Sequence, residues 1–275
     1  MTGIPTITTP RLSIPKLGLG TFGLTGRDGQ AAVESALALG YRHIDTAEMY
    51  ANEEIVGAAL RASGIPRAEL FVTTKVWWDH LAPDAIRTAN AASLDRLGLD
   101  HADLYHIHWP APGMDLSAAL ATLRALMAEG RTRGIGVCNF PAGLLRAALA
   151  TGAPLAAVQV EYHALLDQSV LLSICHAHGL ALTAYSPLGK GRLATEPTLA
   201  RIGARHGATA SQVALAWLLR QDAVAAIPKA QRPESQRANM AALAVPLDAA
   251  DLAAIAALPK DRRFVDPAFA PDWTA

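Results

Sequence analysis

Short β-branched runs alternate with amphipathic segments along nearly the whole of this 275-residue chain, and that alternation restricts its fold more than any single motif does. Candidate strands fall at 17–21, 43–46, 71–76, 103–109, 134–139, 157–161, 182–185 and 224–228. Between them, apolar residues recur at three- and four-residue intervals over 30–39, 53–61, 85–97, 116–128 and 210–219, the spacing of one helix face. Thr209 stands where an N-cap belongs. Strand, helix, strand in repetition implies parallel pairing through right-handed crossovers. Eight such units suffice to close a (β/α)8 barrel of about 250 residues, so the expected fold is α/β, a single TIM barrel over residues 1–275. The segment 261–275 holds Phe264, Phe269 and Trp273 among Pro267 and Pro271, without periodicity. It is expected to lie as a tail over the barrel mouth, the cavity available to bury its rings.

The competing architecture is an open doubly wound sheet. Gly18, Gly20 and Gly23 give a GxGxxG string after the first strand, the pattern of a dinucleotide-binding turn. The chain continues Leu24-Thr25-Gly26-Arg27-Asp28 rather than entering a helix at once, and no acidic residue follows the second strand at a clear ribose-binding spacing. The count of units therefore favours the barrel. A 51% hydrophobic, 17% charged composition excludes a disordered chain. The 24 basic residues balance the 24 acidic ones, so neither nucleic acid nor an anionic membrane is expected as a partner. Cys138 and Cys175, the only two cysteines, form no CxxC pair, which fits a reducing cytosol and gives no thiolate metal site. Neither a secretory leader nor a membrane span is expected, because Met1 to Pro15 has no apolar core preceded by basic residues and no run of about 18 apolar residues occurs.

In such a barrel the chemistry sits at the C-terminal ends of the strands. Those ends offer Asp45 with Tyr50 five residues on, Lys75, His106 and His108, Cys138-Asn139, Gln159 and Glu161, Tyr185-Ser186, and Lys229. Asp45, Tyr50, Lys75 and His108 form a chemically coherent set. A tyrosine, which ordinarily titrates near a pH of about 10, is a weak acid at neutral pH, and an adjacent ammonium lowers that value by stabilising the phenolate. Asp45 could keep Lys75 charged and oriented, while His108 could orient a carbonyl oxygen. A different chemistry stays open: His106 and His108 share one strand face, as HxH metal ligands do in barrel hydrolases. His106 also reads as barrel packing, Glu161 as an interior ion-pair or hydrogen-bond partner, and Cys138 as a small buried residue.

The sequence resembles the aldo-keto reductase family over essentially its whole length. The matching residues run from Leu17-Gly18-Leu19-Gly20-Thr21-Phe22, through Gly40-Tyr41-Arg42-His43-Ile44-Asp45-Thr46-Ala47 and Tyr50, to Thr73-Thr74-Lys75-Val76-Trp77. They continue with Asp103-Leu104-Tyr105-His106-Ile107-His108-Trp109-Pro110, Gly136-Val137-Cys138-Asn139-Phe140 and Gln159-Val160-Glu161-Tyr162-His163, and close with Ala184-Tyr185-Ser186-Pro187-Leu188-Gly189 and Ile227-Pro228-Lys229. Within the family, the length and the ending look most like the bacterial branch that reduces 2,5-diketo-D-gluconate and methylglyoxal. The resemblance implies NADPH-dependent carbonyl reduction by a monomer, with Tyr50 as proton donor and Asp45, Lys75 and His108 completing a tetrad. It implies NADP(H) contacts from Gly20, Thr21, Asp45, Cys138, Asn139, Gln159, Tyr185, Ser186, Leu188 and Gly189. Asn139 and Gln159 would hold the nicotinamide carboxamide, and Tyr185 would stack on the ring. Phe22, Tyr50, Trp77, His108, Trp109 and Trp273 would line the substrate pocket.

Two positions depart from the family pattern: Cys138 stands where Ser or Thr usually precedes the asparagine, and the adenosine 2′-phosphate site is altered. There Lys229 and Asn239 match, but Ala230 replaces a serine and Ser235 an arginine. Arg232 and Arg237 could replace the lost charge, since a guanidinium engages phosphate bidentately. NADPH preference is expected. Some relatives bind NADP as regulatory channel subunits with little turnover, and that binding role is the further alternative.

Overall fold

In the computed structural model, residues 3–274 are described. Two short antiparallel strands, β1 (Thr6–Thr8) and β2 (Ser13–Pro15), precede eight parallel ones. These are β3 (Gly18–Gly20), β4 (His43–Asp45), β5 (Phe71–Val76), β6 (Ala102–Ile107), β7 (Thr132–Cys138), β8 (Leu155–Glu161), β9 (Ala181–Tyr185) and β10 (Val224–Ala226). They pair in sequence order as one eight-stranded sheet. The sheet closes on itself where Leu17 bridges Ala226 and the Ala226 N–H donates to Lys16 O at 2.7 Å. Helices α1 (Gly26–Ala38), α2 (Glu53–Ala62), α3 (Pro83–Leu97), α4 (Leu116–Ala128), α5 (Ala142–Ala150), α6 (Ser169–His178), α7 (Pro197–His206), α8 (Ala210–Leu219), α9 (Pro233–Ala241) and α10 (Ala249–Ala256) complete the elements. The fold is a (β/α)8 TIM barrel. All eight expected strands are barrel strands, with ends displaced by one or two residues where the chain leaves the ladder.

Because the barrel strands are covered on both faces, nearly every residue in them is buried. One face packs on the helices through residues such as Val72, Tyr105 and Val158. The other face fills the barrel. Its floor is an element with no counterpart among the expected strands: the β1–β2 hairpin brings Ile7, Leu12 and Ile14 against Phe71, Leu104, Ala157, Ala181 and Ala225. The alternation Ile7, Leu12, Ile14 carries this signal, but three-residue strands are too short for a periodicity to stand out.

The GxGxxG string has a packing origin. A Cβ on Gly18 would stand 2.8 Å from the His43 ring, and one on Gly20 would stand 2.6 Å from Ile227 O across the closing seam. Gly20 lets the first and last barrel strands meet, Gly18 leaves room for the His43 ring of the neighbouring strand, and α1 begins only at Gly26 rather than directly after the string, as a dinucleotide-binding turn requires.

Thr209 caps α8 in a full capping box with Gln212. Asp248 and Asp251, which interrupt the Ala-rich C-terminal stretch in sequence, form the second capping box and start α10. Among the described residues no single helix is long and apolar enough to cross a membrane.

A Gly20→Ala substitution should destabilise the barrel by about 1–3 kcal/mol or more, because its methyl meets a backbone oxygen that cannot rotate away. Urea unfolding measures this; a loss below about 0.5 kcal/mol would show that the seam tolerates a side chain.

Candidate active site

Strand side chains alternate, so one inward residue near each C-terminal strand end faces the same space. β4 contributes Asp45, β5 Lys75, β7 Cys138 and β8 Gln159, while His108 follows β6 directly. Lys75 is fully buried, and a buried ammonium persists only when paired and hydrogen-bonded. It donates to Asp45 Oδ1 at 2.5 Å and to Thr46 O at 2.7 Å. The second Asp45 oxygen accepts from Gln159 Nε2 at 2.7 Å, which ties opposite sides of the barrel together. Two of the three ammonium hydrogens are thus committed. Lys75 Nζ lies 5.1 Å from the centre of the Tyr50 ring, and the His108 ring centre is 5.5 Å from that of Tyr50.

Tyr50 comes from a 3-10 turn, Glu48–Tyr50, that ends on Ala51 in the left-handed region. Asn52 secures this turn: it accepts from Thr46 Oγ1 at 2.7 Å and donates to Thr21 O and Leu24 O at 2.8 and 3.0 Å. The Glu48 carboxylate accepts the Trp77 N–H and faces His80 Nδ1. Neither Asn52 nor Glu48 is among the candidates from the strand ends, because both act from a connection. Their only signal in the sequence is proximity to Tyr50.

Burial pushes the Tyr50 hydroxyl up to about 12, against the opposing pull of the Lys75 ammonium. From the residue types alone, a net lowering by Lys75 is expected. Lys75 does pull the value down, but desolvation is the larger effect, so the phenol stays protonated at neutral pH. Burial also works against the charge on Lys75, but Asp45 and the Tyr50 oxygen outweigh it and hold the ammonium above its ordinary range. Burial, reinforced by Lys75 and His106, holds His108 well below 6.5, so its imidazole is neutral. Its Nδ1 is buried without a hydrogen-bond partner.

His106 does not join His108 as a metal pair. Its Nδ1 faces Cys138 Sγ at 3.1 Å, and burial, chiefly, lowers its pKa to about 3. Among the described residues no group of three or more His, Cys, Asp or Glu side chains is arranged to hold a metal ion. Cys138 Sγ is turned toward His106 in the barrel interior, and burial raises its thiol well above 9.0, so it is neutral.

Beside the tetrad lies a set suited to a large polar cofactor. Asn139, at φ 61°, donates its N–H to Gln159 O at 2.9 Å and accepts the Tyr185 hydroxyl on its Oδ1 at 2.7 Å. With Asn139 Nδ2 donating to His108 O at 2.9 Å and Gln159 Nε2 to Asp45, two carboxamides and an aromatic ring are fixed at one edge of the mouth. Gly20 and Thr21 lie at the end of the first barrel strand, where Thr21 Oγ1 donates to Asp45 O at 3.0 Å. Ser186, Leu188 and Gly189 open the irregular segment after β9, in which Ser186, Gly189, Lys190 and Gly191 all have positive φ. Lys229 is exposed after β10, its Nζ 3.9 Å from where a Cβ of Gly23 would stand. Arg232, also exposed, is the N-cap residue of α9 and leaves that terminus without a side-chain cap. Arg237 faces Glu234 at 3.9 Å, Ala230 is buried, and Asn239 is buried beside Tyr41.

The aromatic residues gather above the tetrad. Phe22, 61% exposed, meets Tyr50 edge-on at 5.1 Å, and Trp77 meets His108 at 5.0 Å. Trp109 packs against Trp273 at 6.0 Å. At the centre sits Phe269, within 5.7 Å of Trp77, Trp78 and Trp109; from the sequence it is expected at the mouth as part of the tail but not among the residues lining the substrate pocket. An irregular tail gives no periodicity by which it could have been placed.

A sequence model described as the Aldo/keto reductase family matches residues 16–260. Methylglyoxal reductase DkgB of Escherichia coli O157:H7 is 39% identical over 267 residues, covering 95% of this chain and 100% of that protein. The protein of the same name from Salmonella typhimurium is 40% identical over 267 residues, with the same coverage. Among solved structures, a candidate 2,5-diketo-D-gluconic acid reductase B superposes with a TM-score of 0.96 at 38% identity, covering 99% of this chain and 98% of that one.

The interior histidines generate a pH dependence. Burial holds His43, His106 and His108 below 6.5 in the folded chain, while in the unfolded chain each takes up a proton near that value. Stability is therefore fully present above about 6.5 and is lost as pH falls, by up to about 1.4 kcal/mol per pH unit for a histidine such as His106, whose folded value lies far below that of the unfolded chain. His106→Leu should flatten the slope of unfolding free energy between about pH 4 and 6 by one such increment, as read from urea unfolding. An unchanged slope would mean that His106 is not held neutral.

Proposed function

Because the chain belongs to the Aldo/keto reductase family, we propose that it is an NADPH-dependent reductase of aldehydes and ketones in which Tyr50 is the proton donor. The observation that carries this reading is the convergence of a protonated Tyr50, a buried Lys75–Asp45 pair and a neutral His108 in one water-poor site. The residues beside the tetrad fit the cofactor: fixed carboxamides for a nicotinamide amide, a flexed loop after β9, and exposed cations at an uncapped helix N-terminus for phosphate. When bound, NADPH supplies the two electrons as hydride to the carbonyl carbon.

The protein's residues do the rest. His108 Nε2 and the Tyr50 hydroxyl hold the carbonyl oxygen and so orient its carbon. As that oxygen gains negative charge it becomes a stronger base than phenolate, and the Tyr50 proton moves to it. The Lys75 ammonium, kept charged and pointed by Asp45 and Thr46 O, stabilises the phenolate left behind. Asn139 and Gln159 would hold the nicotinamide amide, Tyr185 would pack on its ring, and Ser186, Leu188 and Gly189 would cover the pyrophosphate. Gln159 also fixes Asp45, which couples cofactor placement to the proton donor. The similarity to methylglyoxal and diketogluconic acid reductases supports small or polar carbonyls as substrates.

Tyr50→Phe should lower kcat on methylglyoxal by about 10²–10⁴-fold while NADPH still quenches protein fluorescence with nearly unchanged affinity. Wild-type turnover in the variant would remove Tyr50 from the mechanism; wild-type cofactor binding without turnover of any carbonyl would favour a binding role. For the 2′-phosphate, Arg232 replaces the charge missing at Ser235. Arg232→Ala should reduce the kcat/KM preference for NADPH over NADH by about tenfold or more. Equal kcat/KM with both cofactors in the wild type would overturn the assignment of NADPH.

A further inference from the structure

One fully buried carboxylate takes no part in that reaction. Glu161 ends β8, two residues beyond Gln159. Its Oε1 accepts the Phe264 N–H at 2.9 Å and faces His163 Nε2 at 3.1 Å, and its Oε2 accepts the Val265 N–H at 3.0 Å. The Leu165 N–H donates to His163 Nδ1 at 3.3 Å, so Nδ1 is an acceptor and Nε2 is the nitrogen that can donate to Glu161. The Arg262 N–H donates to Leu165 O at 2.9 Å, and Arg263 lies 3.9 Å from Glu161 Oε2. The start of the C-terminal tail is thereby pinned to the end of one barrel strand.

Two contacts run outward from this anchor. The Phe264 ring stacks on His163 at 5.1 Å and lies under the Arg192 guanidinium at 4.4 Å; a Cβ on Gly189 would be 3.0 Å from it. Gly189 and Arg192 belong to the segment after β9 that is assigned to the pyrophosphate. Beyond the anchor, Arg263 covers the Trp273 ring at 3.6 Å, while Trp273 and Phe269 pack against Trp109 beside the tetrad.

We propose that Glu161 is a positioning residue that seats the tail, and that Phe264 transmits cofactor binding at the loop after β9 to the aromatic wall of the substrate pocket. The coupling half of this proposal rests on the cofactor reading given above; the anchoring half does not. Coupling is reciprocal: a loop ordered by NADP(H) favours the seated tail, and a seated tail favours the ordered loop. Bulky carbonyls, which need the wall formed by Phe269 and Trp273, should depend on the seated tail more than methylglyoxal does.

Limited trypsinolysis reads the tail directly, because the Arg262 side chain is 65% exposed. Release of residues 263–275 is followed by mass spectrometry with and without NADP+, for the wild type, Glu161→Gln, Phe264→Ala and the milder Phe264→Leu, each checked for an intact thermal transition. In the wild type, saturating NADP+ should slow release by about tenfold. Glu161→Gln should speed release without cofactor, and the Phe264 variants should lose the protection by NADP+. Glu161→Gln should also raise KM for a bulky aromatic aldehyde by about tenfold and for methylglyoxal by less than about threefold. Cleavage of Glu161→Gln at the wild-type rate overturns the anchor. NADP+ that quenches protein fluorescence yet leaves wild-type release unchanged overturns the coupling. If NADP+ does not bind, the cofactor reading falls and the coupling with it, whereas release from Glu161→Gln in buffer alone still decides the role of Glu161.

Discussion

The buried pair between Lys75 and Asp45 is the interaction on which the site depends. An ammonium with no solvent exposure needs strong partners, and the barrel supplies them from more than one strand: Asp45 on β4, the Thr46 carbonyl after it, and Gln159 on β8 through Asp45. That one positive charge then acts on everything around it. It pulls against the desolvation of Tyr50, adds to the desolvation that keeps His108 and His106 neutral, and opposes the upward shift of Cys138. Protonated phenol and neutral imidazole thus stand side by side, the pairing that the proposed carbonyl reduction requires.

The rim is built as a chain of neighbours. β8 carries Gln159 toward the tetrad and Glu161 toward the tail, so a single strand registers both. The tail brings aromatic surface that the barrel strands do not supply, and it places Phe269 among three tryptophans. Below, the β1–β2 hairpin closes the barrel with apolar side chains. The two ends therefore divide the labour expected of a barrel, stability at the floor and chemistry at the mouth.

Much of this was legible along the chain. The strand runs located the barrel because parallel strands are buried on both faces and read as continuous apolar segments. Their C-terminal ends located Asp45, Lys75, His108 and Gln159, since alternation puts those side chains inward. Less legible were groups that act from connections: Asn52 and Glu48 beside Tyr50, and Phe269 in the tail. No period marks a connection, and the partners of these residues lie far away in sequence. The GxGxxG string was legible as glycine but not as seam, because its meaning depends on His43 and Ile227.

The sequence by itself determined the class of fold, the order of its elements and the residue types available at the mouth, because periodicity and strand ends are local properties. Tertiary structure alone decided the balance of forces there. Whether Tyr50 is made more or less acidic depends on how far desolvation exceeds the pull of Lys75, and desolvation exists only once the barrel has closed. Structure likewise turned Cys138 toward His106, and gave Glu161 the backbone N–H groups of a tail about a hundred residues away. Each is a contact between segments remote in the chain, and no local pattern encodes the distance between them.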